Sequence, residues 1–397
     1  MDSTRTVSTF TGFFERRGHQ LIGSSSLLPG PGDPVLFTSA GMHPLTRFLE
    51  GEPHPLGRRL TGVQRCLRTT DLEEVGDTSH LTVFQMLGSW SLGDYDGPQS
   101  LRWGVELICD HFGLRPQQLH ATVFGGDDQV GPDETALRTW TELGLPVEIL
   151  GPEDNWWSNG PTGPCGPDSE IFVWTGEGPP SGTPRTDERW MELWNHVTMR
   201  YQRHPDGSLT LLQQPSVDTG MGLERLLMVS QGVGSVFDTD LFAPWLSGLR
   251  KLWGPGRTPD VRSLRIITDH LRSSVVIISD GVRPSSTGRG YVLRRLIRRA
   301  LTALWSGGDS SLGLGDLPRE LVTETGERFG LVSDPAIVGK LLQSEEGKFR
   351  DLLERGRSLL PRLYPSGQLS DEDYEFLRDT HGLPRELVTD LVGELTG

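Results

Sequence analysis

The segment at residues 217–225, with the sequence VDTGMGLER, places a carboxylate, two glycines and an arginine within nine residues. Asp218 supplies a fixed negative charge, and Arg225 supplies a planar cation that can stack on a base or grip a phosphate. Gly220 and Gly222 precede a helix-compatible run and let a flat ligand approach the backbone, because they have no Cβ. The segment therefore suits a flat, charged ligand, although a turn followed by a helix with an ordinary i,i+3 ion pair explains the spacing equally well.

A second cluster joins a basic segment to an aromatic strand. Residues 65–68 (RCLR) lead into an acidic turn at residues 71–74, and a strand-like run follows at residues 82–86. In that arrangement Arg68 would neutralise an α-phosphate, where charge builds during attack on phosphorus. Phe84 would stack on an adenine ring. The commoner alternative for such a segment in isolation is a surface hairpin with a core phenylalanine.

A loop rich in Gly and Pro at residues 160–167 (GPTGPCGP) follows a tryptophan pair at residues 156–157. Rigid Pro and permissive Gly suit a tight loop that shapes a small pocket, with indole rings as its walls. Trp194 and Asn195 could add a further wall and an amide. The alternative is that the tryptophans fill the core and Cys165 is a buried thiol, but the density of Gly and Pro favours a site.

Arginines dominate the run at residues 289–299 (RGYVLRRLIRR). Arg294 and Arg298 are spaced i,i+4, as are Arg295 and Arg299, so a helix here carries four like charges on one face. Like charges at this spacing repel one another. The run therefore requires either a polyanionic partner or carboxylates elsewhere in the fold, and both interpretations stay open.

The elements that must position these residues change character along the chain. Short runs with apolar alternation predict half-buried antiparallel strands in the first part, which disfavours a regular βαβ fold. After the linker-like stretch at residues 254–259, helical periodicity takes over. We therefore expect an α+β domain over residues 1–250, followed by an all-helical domain over residues 251–397. The strand-like runs are residues 35–38, 82–86, 170–174 and 191–194.

The composition bounds the class of protein. The chain has 397 residues, and its 50 Gly and 28 Pro stay below the share typical of disordered chains. A formal net charge of −15 repels nucleic acid and anionic membranes, so any polyanion site must be a local basic patch. The three cysteines are far apart, which predicts neither a zinc site nor a disulfide scaffold. Without an apolar N-terminal segment or a long apolar run, the sequence predicts a soluble, cytoplasmic protein with no membrane partner.

Taken together and in order, these features resemble the catalytic half of the alanyl-tRNA synthetases, which are class II synthetases. The resemblance covers nearly the whole chain and implies an antiparallel sheet flanked by helices that activates an amino acid with ATP and Mg²⁺. The motifs that carry it are residues 14–28, 36–42, 84–95, 162–167, 217–225 and 288–295.

The resemblance also implies roles for individual residues. Arg68 matches the arginine expected on the α-phosphate, and Arg225 matches the one near the γ-phosphate, so these two are the candidate catalytic residues. Phe84 matches the position that stacks on adenine. No general base is required, because the substrate carboxylate is itself the nucleophile and catalysis consists of positioning and charge stabilisation. The candidate ATP-binding residues are Arg68, Phe84, Gln85, Met86, Gly222 and Arg225.

The same resemblance implies a pocket for L-alanine. Asp218 matches the carboxylate that holds the ammonium group of alanine, and Glu192 is a candidate Mg²⁺ ligand. The other candidate alanine-binding residues are Trp157, Asn195, Val197 and Gly220.

The chain departs from the family pattern at several positions. The family usually has a longer loop containing Gly-Gly-Lys after Arg68, which is absent here. Gln85 stands where the family has Glu, and Asp168 stands where it often has a second Cys. Ser286 and Glu386 align with an Asn and an Asp that read the acceptor stem of tRNA, so the hydrogen-bond pattern at both base-reading positions is altered. The residues expected to face the acceptor are Ser286, Arg289, Arg294, Arg295, Arg298 and Glu386.

Three hypotheses for function follow from this comparison. The sequence ends just past the Glu386 segment, which predicts a chain without the editing and C-terminal domains of the family. With eroded tRNA-reading positions, this favours an alanine-activating enzyme that passes alanine to a small molecule, such as a nucleoside or a peptide-like metabolite. A minimal alanine–tRNA ligase is the alternative, since the basic helix is retained, and a non-catalytic tRNA-binding paralogue comes third. A homodimer is possible under each hypothesis.

Overall fold

The computed structural model describes residues 1–30, 35–252, 259–306, 311–383 and 385–396. Its strands are β1 (Gln20–Ile22), β2 (Arg59–Leu67), β3 (Val83–Ser91), β4 (Leu119–Phe124), β5 (Val147–Leu150), β6 (Trp156–Ser158), β7 (Gly163–Trp174), β8 (Trp190–Arg203) and β9 (Leu209–Gly222). Its helices are α1 (Ser3–Glu15), α2 (Thr46–Leu49), α3 (Gly97–Glu106), α4 (Glu134–Leu143), α5 (Pro152–Asn155), α6 (Leu223–Gln231), α7 (Ala243–Arg250), α8 (Val261–Ser279), α9 (Gly288–Ser306), α10 (Arg319–Arg328), α11 (Pro335–Leu363), α12 (Asp371–His381) and α13 (Arg385–Thr396).

The described strands form one nine-stranded sheet in the order β1-β2-β3-β9-β8-β7-β4-β5, with β6 paired to β7. The pairings are antiparallel except at the two ends, where β1 lies parallel to β2 and β4 lies parallel to β5. The expected fold class is therefore confirmed: an antiparallel sheet flanked by helices, followed by a helical region.

Three of the four strand-like runs lie in strands as predicted, in β3, β7 and β8, with Thr82 just before the start of β3. The prediction of a strand at residues 35–38 is wrong. The Thr38 N–H donates a hydrogen bond to the Leu27 carbonyl, and the Thr38 carbonyl accepts one from the Leu67 N–H. These two bonds do not extend into a ladder. Residues 35–38 therefore form a bent segment, and its Phe37 side chain packs at the edge of the apolar core.

The helical periodicity predicted in the second part is confirmed. α8 begins after Asp260, whose carboxylate accepts a hydrogen bond from the Ser263 N–H and caps the first turn. α9 buries Leu293 and Leu296, three residues apart, and α11 buries Leu342 and Phe349, seven residues apart, and both spacings keep the side chains on one helix face. The linker predicted at residues 254–259 lies outside the described residues except for Pro259. In the part of the chain that the structure describes, none of the helices is long and apolar enough to cross a bilayer.

The largest apolar cluster is shared by the sheet and the helical region. Leu67 and Val83, on neighbouring strands, belong to one contiguous set of buried residues with Val275 of α8 and Leu293 of α9. Leu72, in the turn between β2 and β3, joins the same cluster. The boundary proposed at residues 250/251 therefore separates two kinds of secondary structure that bury their side chains in common.

A buried ion pair also joins the two regions. The Arg65 guanidinium on β2 donates two hydrogen bonds, of 2.8 and 2.9 Å, to the carboxylate of Asp280 at the end of α8. The same carboxylate accepts the Leu27 N–H at 2.8 Å. Paired geometry of this kind satisfies both charges where little water reaches them.

Candidate active site

Three adjacent strands, β3, β9 and β8, build the floor of the candidate site. Trp194 and Met221 point into the core between the sheet and α1, so strand alternation places their neighbours on the opposite face. Directly opposed residues on antiparallel strands share a face. The opposed residues on the site face are Met86 and Gly222, Gly88 and Gly220, Trp90 and Asp218, Asn195 and Gly220, and Val197 and Asp218.

The glycines of this floor make room for large side chains. A Cβ on Gly220 would stand 2.6 Å from the Sδ of Met86, and one on Gly88 would stand 2.2 Å from the Trp90 ring. Real Cβ atoms do not approach so closely. Gly220 and Gly88 are therefore required by the packing of Met86 and Trp90 across them.

A cleft opens at the Gly222 end of this floor. Arg68 and Phe84 form one wall, with the guanidinium carbon 5.2 Å from the ring centroid. Arg225 lies across from them and donates a hydrogen bond of 2.9 Å to the Glu192 carboxylate. The residues predicted for ATP that line this one cleft are Arg68, Phe84, Met86, Gly222 and Arg225.

Gln85 is the exception, and its prediction as an ATP-binding side chain is corrected. It lies between Phe84 and Met86 on β3, so strand alternation directs it to the other face of the sheet. There it is 9% exposed, and its amide nitrogen is 3.5 Å from the carbonyl oxygen of Arg328 on α10. The family's Glu-to-Gln change therefore lies behind the cleft.

A buried ion pair supports the cleft from below, and the sequence analysis missed it. Glu224, one residue before Arg225, is 2% exposed and accepts hydrogen bonds from the Gln85 N–H and from Arg272 of α8. Burial raises the pKa of the Glu224 carboxyl, and the Arg272 charge opposes that rise. Arg272 also donates to the Val83 carbonyl at 2.8 Å. The sequence carried no local signal for this pair, because Arg272 stands among the polar residues Asp269, His270, Ser273 and Ser274 of α8.

We expect the Arg272→Met variant to lose about 3–5 kcal/mol of unfolding free energy, because it leaves the buried Glu224 carboxylate without its cation. Denaturant unfolding measures the change. The double variant Arg272→Met/Glu224→Gln should recover part of the loss, since it removes the uncompensated charge. An Arg272→Met variant whose free energy of unfolding lies within about 1 kcal/mol of that of the parent would show that the ion pair contributes little to stability.

The predicted alanine-binding residues lie further along the same floor. Asp218 is 6% exposed and accepts a hydrogen bond of 2.7 Å from the Trp90 indole N–H, a contact that the sequence analysis did not foresee. Burial raises the pKa of Asp218 to about 7. Val197, opposite Asp218, belongs to a small apolar cluster against which Trp157 packs. These side chains form a compact group around one buried carboxylate.

A second buried carboxylate, that of Asp168, lies two strands away from Asp218 on the same face of the sheet. Asp168 on β7 is opposite Val197 and accepts hydrogen bonds from the side-chain amides of Asn155 and Asn195, at 2.9 and 3.2 Å. Burial raises the pKa of Asp168 to about 7. The Oδ1 atom of Asn195 is buried and has no hydrogen-bond partner. The neighbouring Glu170 carboxyl also has a pKa well above its usual range, through burial first and then the Glu192 charge.

The four arginines of α9 have carboxylate partners within the chain. Arg294 and Arg298 both bond to Glu345 of α11, whose side chain is 2% exposed. Arg295 and Arg299 both bond to Glu73, in the turn between β2 and β3. Of the two interpretations left open by the spacing, internal carboxylates therefore account for the cluster. Whether its outer edge also contacts an acceptor stays a prediction.

Two of the remaining acceptor-facing predictions, Ser286 and Arg289, lie at the start of α9, and the third, Glu386, belongs to α13. Ser286 is exposed just before α9 and borders a cleft lined by Arg294, Arg298 and Lys348. Arg289 donates a hydrogen bond of 2.6 Å to the Leu36 carbonyl. The Glu386 side chain lies outside the described residues. Within the described ranges, no group of three or more His, Cys, Asp or Glu side chains is arranged to hold a metal ion by itself.

Solved structures with a related arrangement are distant in sequence. Apo histidyl-tRNA synthetase from S. aureus has a TM-score of 0.37 and 14% identity, over 62% of this chain and 75% of that chain. A pyrrolysyl-tRNA synthetase from Desulfitobacterium hafniense has a TM-score of 0.33 and 16% identity, over 60% of this chain and 72% of that chain. Likenesses at this level say nothing about what this chain binds.

Sequence comparisons are much closer. Residues 5–396 match the family model described as tRNA synthetases class II (A). A protein named Alanine--tRNA ligase from Treponema pallidum (strain Nichols) is 40% identical over 410 residues, which span 98% of this chain and 67% of that protein. Its namesake from Rubrobacter xylanophilus is 38% identical over 419 residues, which span 99% of this chain and 47% of that protein. The chain thus covers between about half and about two thirds of the length of these relatives.

Proposed function

Because the chain belongs to the class II tRNA synthetase family, we propose that it activates L-alanine with ATP and transfers the alanyl group to tRNA. The observation that carries the proposal is the continuous floor formed by β3, β9 and β8. It leads from a cleft walled by Arg68, Phe84 and Arg225 to the buried Asp218 carboxylate. A nucleotide and a small amino acid would lie side by side along it.

In the first half-reaction, a carboxylate oxygen of alanine attacks the α-phosphorus of ATP. The bond from that phosphorus to the bridging oxygen breaks, and pyrophosphate leaves with the electron pair. Alanyl-adenylate remains. Arg68 stabilises the negative charge that accumulates on the α-phosphate, while Arg225 binds the departing phosphates. Since the nucleophile is already ionised at neutral pH, the residues contribute positioning and charge rather than proton transfer.

Mg²⁺ is expected with ATP, and the chain offers suitable oxygen ligands. Mg²⁺ is usually held by one or two carboxylates together with substrate phosphates. Glu192 lines the cleft next to Arg225. Its carboxylate fits the cation and would hold it against the phosphates. Mg²⁺ would supply further neutralisation of phosphate charge.

The sequence alone favoured a small molecule as the acceptor of alanine, because Ser286 and Glu386 differ from the residues that the family has at these positions. Relatives named Alanine--tRNA ligase match over nearly the whole of this chain, its helical region included, and they favour tRNA. In the second half-reaction, a ribose hydroxyl at the end of tRNA attacks the alanyl carbonyl and AMP leaves. A homodimer and a cytoplasmic location stay predictions.

One experiment tests both halves. Purified protein is incubated with ATP, Mg²⁺ and labelled alanine, with and without total tRNA, while AMP release and label on tRNA are followed. Alanine-dependent AMP formation with label on tRNA is the expected result. AMP formation with unlabelled tRNA would overturn the acceptor alone, and no alanine-dependent exchange of pyrophosphate into ATP would overturn the activation step.

Phe84 provides a narrower test of the nucleotide position. We expect Phe84→Ala to raise the KM for ATP about tenfold in pyrophosphate exchange, because stacking on an aromatic ring contributes about 1–3 kcal/mol per base. The KM for alanine should change little. Phe376→Ala, at an exposed aromatic of α12, is the matched control. If both KM values rise together, Phe84 supports the fold of the site rather than the adenine ring.

A further inference from the structure

Asp168 is a buried carboxylate that the proposed chemistry does not use. It is 4% exposed on β7, at a position where the family often has a second Cys. In the sheet it lies opposite Val197, which lies opposite Asp218, so all three side chains share the site face. The carboxylate is therefore beside the amino-acid pocket without being the group that would hold the ammonium.

The hydrogen bonds of Asp168 fix the orientation of a pocket amide. Its two oxygens accept one N–H each, Oδ1 from the Asn155 amide at 2.9 Å and Oδ2 from the Asn195 amide at 3.2 Å. A carboxylate can only accept hydrogen bonds, so it must face the Nδ2 side of Asn195. The opposite rotamer would place the amide oxygen of Asn195 against a negative oxygen.

That orientation leaves the amide oxygen of Asn195 available. Asn195 lies opposite Gly220, which lines the cleft and has no side chain of its own. The Oδ1 atom of Asn195 is buried with no hydrogen-bond partner, and such an acceptor costs free energy until a donor is supplied. A primary ammonium group has three N–H donors, of which Asp218 would take only part.

We propose that Asp168 is a positioning residue for amino-acid activation, which holds the Asn195 amide so that its oxygen accepts a hydrogen bond from the substrate ammonium. The inference rests on the proposed activation of alanine and adds a determinant of amino-acid affinity to it. A thiol at this position could not accept two amide N–H groups with comparable strength. The charge at residue 168 thus acts on the substrate through Asn195.

Ionisation of Asp168 gives the inference a pH signature. Burial raises the pKa of Asp168 to about 7, with smaller contributions from the Glu192 and Asp154 charges. Glu170 on the same strand also faces this group. Below that pH the protonated carboxyl gains an O–H donor, so it no longer forces the Asn195 oxygen toward the substrate. Asp218 must also be ionised to bind the ammonium, so protonation of either carboxylate weakens alanine binding at low pH.

The test measures pyrophosphate exchange with the full chain. Asp168→Asn is isosteric, but it offers one acceptor oxygen instead of two, so it can no longer accept the Asn155 and Asn195 amides together. We expect the KM for alanine to rise about tenfold or more, the size of losing a hydrogen bond to a charged group, with the KM for ATP unchanged. Asp187→Asn, at a carboxylate paired with Arg189 on the β7–β8 hairpin, is the matched control.

A second readout does not depend on comparing absolute rates. Between pH 5.5 and 6.5 the logarithm of the alanine KM should fall with rising pH more steeply in the parent than in Asp168→Asn, in which only Asp218 titrates. A purely structural role would lower the active fraction, and so kcat, and would leave this slope alone. If Asp168→Asn fails to fold, Asp168→Cys takes its place: a raised KM for alanine with an unchanged KM for ATP supports the inference, and parental values of both overturn it.

The outcomes separate this inference from the function on which it rests. A parent protein that shows no alanine-dependent exchange would remove the proposed function. A parent that activates alanine, together with an Asp168→Asn variant matching Asp187→Asn in alanine KM and pH slope, would overturn the role of Asp168 alone.

Discussion

The Asp218→Asn variant is expected to lose about a hundredfold to a thousandfold in kcat/KM for alanine, because removing one partner of a buried, charged hydrogen bond costs about 2–5 kcal/mol. The substitution keeps the oxygen that accepts the Trp90 indole N–H at 2.7 Å, so the local packing is preserved. Only the negative charge that would meet the alanine ammonium is removed. Alanine-dependent pyrophosphate exchange measures the loss.

The pH dependence of stability separates this loss from misfolding. Burial raises the pKa of Asp218 to about 7, so the folded protein binds a proton that the unfolded chain releases near pH 4. The carboxyl therefore destabilises the ligand-free fold progressively as pH rises from about 4 to 7, and fully above that. At pH 8 the Asp218→Asn variant should melt at or above the parental temperature.

Asp206→Asn is the matched control for this substitution. It changes an exposed carboxylate in the turn that joins β8 to β9, where Asp206 accepts hydrogen bonds from the N–H and the hydroxyl of nearby Ser208. Parental activity is expected there. A melting temperature for Asp218→Asn well below that of the parent at pH 8, or unchanged exchange activity, would contradict the placement of the ammonium at Asp218.

Replacing Arg68 by alanine should lower kcat for alanine activation by about a thousandfold, within the range seen when a group that stabilises transition-state charge on phosphate is removed. The guanidinium lies beside the Phe84 ring and is held by the Ser39 carbonyl at 3.4 Å, with no carboxylate partner among the bonds of the described residues. It is thus available for phosphate. The KM for alanine should stay within about threefold, since Arg68 acts on the phosphate rather than on the amino acid.

Arg58→Ala supplies the comparison for Arg68. Arg58 is an exposed arginine just before β2, and its Nε donates only to the Leu92 carbonyl. The same change of charge at that end of the strand should leave exchange kinetics at parental values. Arg68→Lys is informative as well, because a lysine restores the charge without the planar fork and should recover only part of the rate. Full recovery would show that charge alone, not shape, is needed there.

Local spacing and the family resemblance together were sufficient to predict most of the cleft. Arg68, Phe84 and Arg225 meet in one cavity because each lies at the end of a strand or the start of a helix that the sequence motifs marked. Gln85 is different, because its side chain lies on the face of β3 away from the cleft, near Arg328. Strand alternation in β3 places Phe84 and Met86 on one face, and this can be predicted from the sequence. The same alternation predicts that the side chain of Gln85, between them, does not line the cleft.

Partners that are distant along the chain could not be predicted in the same way. The arginines of α9 are neutralised by Glu345 and by Glu73, which is more than 200 residues away. Sequence spacing reports the repulsion among the arginines, but not which carboxylate resolves it. The contacts of Trp90 with Asp218 and of Arg272 with Glu224 are equally non-local. They arise from the order of strands in the sheet and from the packing of α8 beneath it.

The apolar cluster shared by β2, β3, α8 and α9 has a thermodynamic consequence. Elements that bury the same side chains unfold together, so a ligand that binds to one element also stabilises the other against unfolding. A ligand at a hundred times its dissociation constant stabilises the folded state by about 2.7 kcal/mol. ATP held above the sheet would therefore also protect the backbone amides of α8 and α9 from exchange with solvent, although neither helix surrounds the nucleotide.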